Sequence, residues 1–189
     1  MGDITRRNFF NRAGAYGLGG LAGVSALHGL APRAAAAAAA VQPRLDWLSR
    51  TDEAAIEPEL PIIDPHHHLW DRPGNRYMLE DLVEDTQTHN VRQTVFVECT
   101  SMYRAGGPDE LRVVGETEFV QGVAAMSASG LYGDMRACTG IVGSADLRLG
   151  DRVAPVLEAQ IAASPQRFRG IRHRAAWADS TVVPNLPAD

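Results

Sequence analysis

Apolar positions in this chain follow two alternating periods. Short runs rich in Val, Ile and Phe, at 61–65, 93–98, 137–142 and 168–173, have the length and composition of buried strands. Between them, apolar residues recur three and four apart, the period of a helix face. Leu79, Leu82 and Val83 predict a short helix over 79–89. Phe119, Val120, Val123 and Met126 predict a second over 116–129, with Gly130 as its stop. Val153, Val156, Leu157 and Ile161 predict a third, with Asp151 as N-cap and Pro165-Gln166 as breaker. The segment 71–75, Asp-Arg-Pro-Gly-Asn, has loop chemistry, and 101–114 reads as a long loop. Strands that alternate with helices imply an α/β fold with a parallel sheet.

A parallel sheet places all its strand C-termini on one edge, where such folds build their sites. The residues due at that edge are His66 and His68, then Glu98, then 143–146, then Arg172 and His173. Tyr103 and Arg104 stand on the long loop beside it. Three of the six histidines are consecutive, at 66–68, directly after the Ile-Ile strand of 61–65. Simple alternation along a strand puts Asp64, His66 and His68 on one face, with His67 on the other. Imidazoles two apart at a strand end can converge on one metal ion or one substrate. His173 alternates with Arg172, so only one of the two can point inward.

Composition narrows this further. The chain has 189 residues, a net charge of −5 and scattered charges, which give no electrostatic reason to expect a nucleic-acid partner. Its two cysteines, Cys99 and Cys138, fall at opposite ends of neighbouring strands. At about 3.3 Å per residue they lie beyond disulfide reach.

The N-terminus carries an address. Thr5-Arg6-Arg7-Asn8-Phe9-Phe10 resembles a twin-arginine export signal. The segment 13–31 has six glycines and no acid or base other than His28, so it is only mildly apolar. Small residues at 34–40 suit signal-peptidase cleavage. The expected organisation is a signal peptide over 1–40, an N-terminal arm over 41–60 that docks through Trp47, and a partial barrel domain over 61–189. The expected location is the periplasm, reached through the twin-arginine export machinery.

Three runs resemble one family. They are Ile-Asp-Pro-His-His-His-Leu-Trp-Asp at 63–71, Val-Phe-Val-Glu-Cys at 95–99 and Phe-Arg-Gly-Ile-Arg-His at 168–173. Together they resemble the amidohydrolase superfamily, in its amidohydrolase-2 branch. The resemblance covers about 61–179 and implies a (β/α)8 TIM barrel of which this chain holds the first four β/α units. It implies His66 and His68 as ligands of a divalent metal, zinc or else manganese, that activates water to cleave a small cyclic ester, an amide or a related bond. Some members of the branch are metal-free lactonases, in which the same histidines orient substrate. Arg172 suits a substrate carboxylate or a salt bridge at the rim. Glu98 suits a ligand histidine or a neighbouring base. The catalytic base of the family follows the eighth strand, beyond residue 189, so no catalytic base is assigned. Two explanations remain open for the four-unit length. The chain is part of a longer protein, or the half-barrel pairs with a second half or with a copy of itself. An inactive remnant or binding module of the same fold is the reading from a different functional class.

Overall fold

The computed structural model describes Asp46, Arg50 and residues 53–179. The expected signal peptide and the docking of Trp47 lie outside the described residues. Four strands form one parallel sheet: β1 (Ile62–His67), β4 (Val91–Val97), β5 (Arg136–Ser144) and β6 (Phe168–Arg172), in that spatial order. Helices α1 (Leu79–Thr86), α2 (Val114–Ala128) and α3 (Ala154–Ala163) fall between successive strands of the sheet. All four strand ends therefore meet on one edge, as the alternating pattern requires. Among the described residues, no helix is long and apolar enough to cross a membrane.

The segment expected as a loop over 71–75 is instead a tight hairpin. β2 (Trp70–Arg72) pairs antiparallel with β3 (Asn75–Tyr77), and Pro73-Gly74 makes the turn. Gly74 has φ 72°, a conformation that glycine takes without steric cost.

One core joins the sheet to the helices. Phe96, Ile141 and Leu69 are fully buried in it beside Leu79, Leu82, Val120 and Val123. The helix stripes differ in detail from expectation. On α2 the buried line is Glu116, Val120, Val123, Ala124 and Ser127, while Met126 is 42% exposed. On α3 it is Val156 and Gln160, while Ile161 is 53% exposed. Gln160 is inside because it is satisfied there. Its Oε1 accepts from Thr117 Oγ1 at 2.5 Å, and its Nε2 donates to the Ser144 carbonyl at 2.9 Å. Asp151 is not the cap of α3. A 3-10 segment, Leu147–Val153, precedes the helix, and it is Asp146 whose side chain accepts from Arg148 N.

The sheet is not regular. Asp64 pairs with Thr94 but His67 pairs with Phe96, so β1 uses three steps where β4 uses two. The bulge resets the alternation and turns His67 into the interior, 8% exposed. A second irregularity lies opposite. Gln93 pairs with Arg136 but Val95 with Gly140, and Cys138, at φ 55°, sits in the excess length of β5. Thr94 ties the two together: its hydroxyl accepts from Cys138 N at 2.9 Å and lies 2.8 Å from His67 Nε2. Cys99 and Cys138 are both free thiols, and burial pushes each up to about 12.

Candidate active site

The site begins at the end of β1. The rings of His66 and His68 lie 4.9 Å apart, edge to face. Asp64 Oδ1 accepts from His66 N at 2.9 Å and fixes the turn of the chain there. His68 Nδ1 lies 2.7 Å from the Val97 carbonyl, at the end of the adjacent strand. A carbonyl oxygen only accepts, so Nδ1 carries the proton and the Nε2 lone pair is the basic one. His67 takes no part. Its Nδ1 is buried without a partner, and desolvation lowers its pKa to about 4, against the opposing pull of Asp64.

An aromatic shelf continues from His68. The Trp70 ring is 6.3 Å away, and the Tyr77 ring is 5.9 Å beyond it. Asn75 Oδ1 accepts from Trp70 Nε1 at 2.8 Å, which sets the indole's orientation. The Arg72 guanidinium lies over the indole at 5.3 Å and donates to the Cys99 carbonyl at 2.7 Å. The hairpin thereby ties the end of β1 to the segment that leaves β4.

Glu98, just past β4, is fully buried. Its Oε1 is 2.7 Å from Arg172 Nε and 3.3 Å from Arg174 Nε. Arg172 Nη2 also donates to the Glu98 carbonyl at 2.5 Å. Of the two roles weighed for each residue, Glu98 has the neighbouring base and Arg172 the rim salt bridge. Arg174, two residues on and therefore on the same side of the extended chain, donates a further bond to Thr100 Oγ1. Tyr103 lies beside this group, within electrostatic reach of Ser144 at the end of β5 and of Glu98 and Arg174. Burial raises its hydroxyl pKa, and Glu116 and Glu98 add to the rise.

The other expected site residues are engaged elsewhere. Arg104 makes a two-point pair with Glu118 on the exposed side of α2, with Nε 3.0 Å from Oε2. His173 Nδ1 accepts from Leu147 N at 3.4 Å and lies 3.9 Å from Asp146 Oδ1. The structure thus brings His66 and His68 together and joins Glu98 to Arg172 with Tyr103 nearby, but turns Arg104 and His173 to neighbouring loops and helices.

Glu116 was not expected here. It is fully buried on α2, and its Oε1 accepts from Cys99 N at 3.0 Å and Ser101 N at 2.7 Å. Desolvation raises its pKa against those two bonds, and Glu98 raises it further. One sequence signal was available: Glu116 stands four residues before Val120, on the apolar face of a helix.

The comparisons with known proteins are sparse. The chain is 30% identical over 136 residues to the uncharacterized protein y4mH of Sinorhizobium fredii. The match takes in 60% of this chain and 40% of that protein, so the chain spans about two fifths of the relative's length. No family model matches the chain, and no solved structure does.

Proposed function

We propose that this chain is the first half of an amidohydrolase-type (β/α)8 barrel, and that its strand-end edge is the active site of a hydrolase acting on a small cyclic ester, an amide or a related bond. The observation that carries the reading is the His66–His68 pair. Two imidazoles face each other at a parallel strand end, and the Val97 carbonyl fixes the tautomer of one of them. A backbone acceptor behind a histidine is the arrangement that orients an imidazole for a metal or for base chemistry. The span of about two fifths of the y4mH protein supports the half-barrel part of the reading. In this reading the base and the remaining ligands come from a second half, in the same protein or in a partner, and the protein is exported by the twin-arginine route to the periplasm.

The donor chemistry fits zinc or manganese in part. His66 and His68 would be two of the ligands, and among the described residues no group of three His, Cys, Asp or Glu is placed to hold an ion. When bound, the ion would polarise the scissile carbonyl and acidify a water. The two-donor set also favours a second reading, a metal-free lactonase in which His68 Nε2 accepts a proton and His66 orients the substrate. In either case Trp70 and Tyr77 would form one wall for the substrate ring, and Arg172 holds Glu98 in place.

Metal analysis of the purified protein, alongside hydrolysis of a panel of lactones, separates these readings. The metal reading expects zinc or manganese to copurify, His66→Ala to lose it, and activity to fall more than ~100-fold, beyond what loss of an outer partner costs. Activity that survives exhaustive chelation rules that reading out and leaves the metal-free one. If no lactone or amide is cleaved while the fold is intact, the hydrolase reading fails.

A further inference from the structure

The chain leaving β4 turns through unusual backbone. Thr100 has φ 66° and Met102 φ 54°, both left-handed and neither glycine. Such conformations persist only where their surroundings over-determine them. Three contacts do so here. Glu116 Oε1 collects the amides of Cys99 and Ser101. Arg174 donates to Thr100 Oγ1. Arg104 N donates to the Arg112 carbonyl at 2.9 Å, which closes the loop behind Tyr103. α2 approaches so closely that a Cβ on Gly115 would stand 2.6 Å from both Arg104 N and the Met102 carbonyl. Of these contacts, only Glu116 reaches the turn from inside the core.

The surroundings of Glu116 also act on its ionisation. The guanidinium groups of Arg172 and Arg174 are both directed at Glu98. Glu116 receives two neutral amides, lies near the Glu98 carboxylate, the Cys99 thiol and the Tyr103 hydroxyl, and makes no ion pair among the described residues. Its Oε2 is buried with no hydrogen-bond partner. A second buried carboxylate without a cation is the costly member of such a pair, and burial together with the Glu98 charge biases it toward its protonated form. Oε1 then still accepts both amides, as a carbonyl oxygen would.

We propose that Glu116 is a positioning residue: a neutral carboxylic acid in the core that holds the Cys99–Met102 turn and thereby places Tyr103 at the strand ends. It touches no substrate and acts through the turn. The proposal rests on the hydrolase reading only in taking the strand ends as the reaction site; the placement of Tyr103 stands without it.

The test uses the full chain and three variants: Glu116→Gln, Glu116→Leu and, to assign the signal, Tyr103→Phe. Amide hydrogen exchange is followed at Cys99 and Ser101, with the amides of β5 as an internal reference. The environment of Tyr103 is followed by fluorine NMR of fluorotyrosine-labelled protein. Glu116→Gln is expected to keep both signatures, because its amide oxygen is a neutral acceptor in the same place. Glu116→Leu is expected to speed exchange at Cys99 and Ser101 about tenfold relative to β5 and to shift the Tyr103 resonance. If Glu116→Gln behaves like Glu116→Leu, the residue works as an anion and the proposal is overturned. It is equally overturned if Glu116→Leu leaves the Tyr103 resonance in place. Neither readout needs turnover, so a failed hydrolase reading and a failed Glu116 reading give different results.

Discussion

His67 separates chemistry from packing within a run of three identical residues. Its ring is buried against Thr94 and Phe96, and Cys138 Sγ is 3.7 Å from Nε2. The folded pKa is about 4, against 6.5 for the free side chain. The unfolded chain therefore binds the proton first as pH falls. Above 6.5 both states are neutral at this residue and stability is unaffected; between 6.5 and about 4 the folded state loses ground steadily. At 1.36 kcal/mol per unit the full loss is roughly 3 kcal/mol. Urea unfolding of the native protein and of His67→Gln, at pH 7 and pH 4, should show that much more acid sensitivity in the native protein. Equal sensitivity in the two would mean that His67 is protonated inside the fold without penalty. Strand alternation correctly separated His67 from its neighbours, since a period of two follows from backbone geometry. That it is the interior residue depends on a bulge, which is set by pairing with β4 and is not written in β1 itself.

At the scale of single elements, periodicity located the three α-helices between the strands and all four strands of the main sheet, because each buries an apolar face against a common core. It failed where a polar group is buried with its partners. Gln160 displaces Ile161 from the inner line of α3 because Thr117 and Ser144 satisfy it, and Glu116 occupies an inner position of α2 because two backbone amides do. Those partners lie far along the chain, so no local window contains the information. The same holds for Gly115. In isolation, Gly115→Ala should stabilise α2 by up to about 1 kcal/mol. In this fold the added methyl would meet two backbone atoms at 2.6 Å, and backbone cannot swing aside as a side chain can. Overpacking of that kind costs about 1–3 kcal/mol, so the net change should be a loss of roughly 1–2 kcal/mol. Gly122, on the same helix with open space around it, is the control. Gly122→Ala should hold or raise the urea midpoint while Gly115→Ala lowers it; a rise in both would show that the helix shifts freely.

Across the whole molecule, the strand ends are held by charge as well as by the ladder. Glu98 follows β4 and Arg172 closes β6, with β5 between them, so their pair spans the width of a strand above the sheet edge. The carboxylate is fully buried and the Arg172 side chain is about one-third exposed. Removing one partner leaves the other charge stranded, which typically costs 3–5 kcal/mol, whereas removing both can be nearly neutral. Arg174 remains 3.3 Å from Glu98 and offsets part of the loss. Arg172→Met should therefore destabilise by roughly 2–3 kcal/mol in urea unfolding, and adding Glu98→Leu should recover at least half of it. A double variant as unstable as the sum of the singles would mean that the two residues act independently and that the edge owes its rigidity to the ladder alone. The convergence of these residues was legible from strand order, because in a parallel sheet topology alone brings the ends together. Their roles were not, because an arginine that anchors a buried glutamate and one that awaits a substrate carboxylate read identically until the distance between the charges is known. If the pair is coupled as expected, Arg172 is committed to Glu98 and its guanidinium serves the fold at this edge.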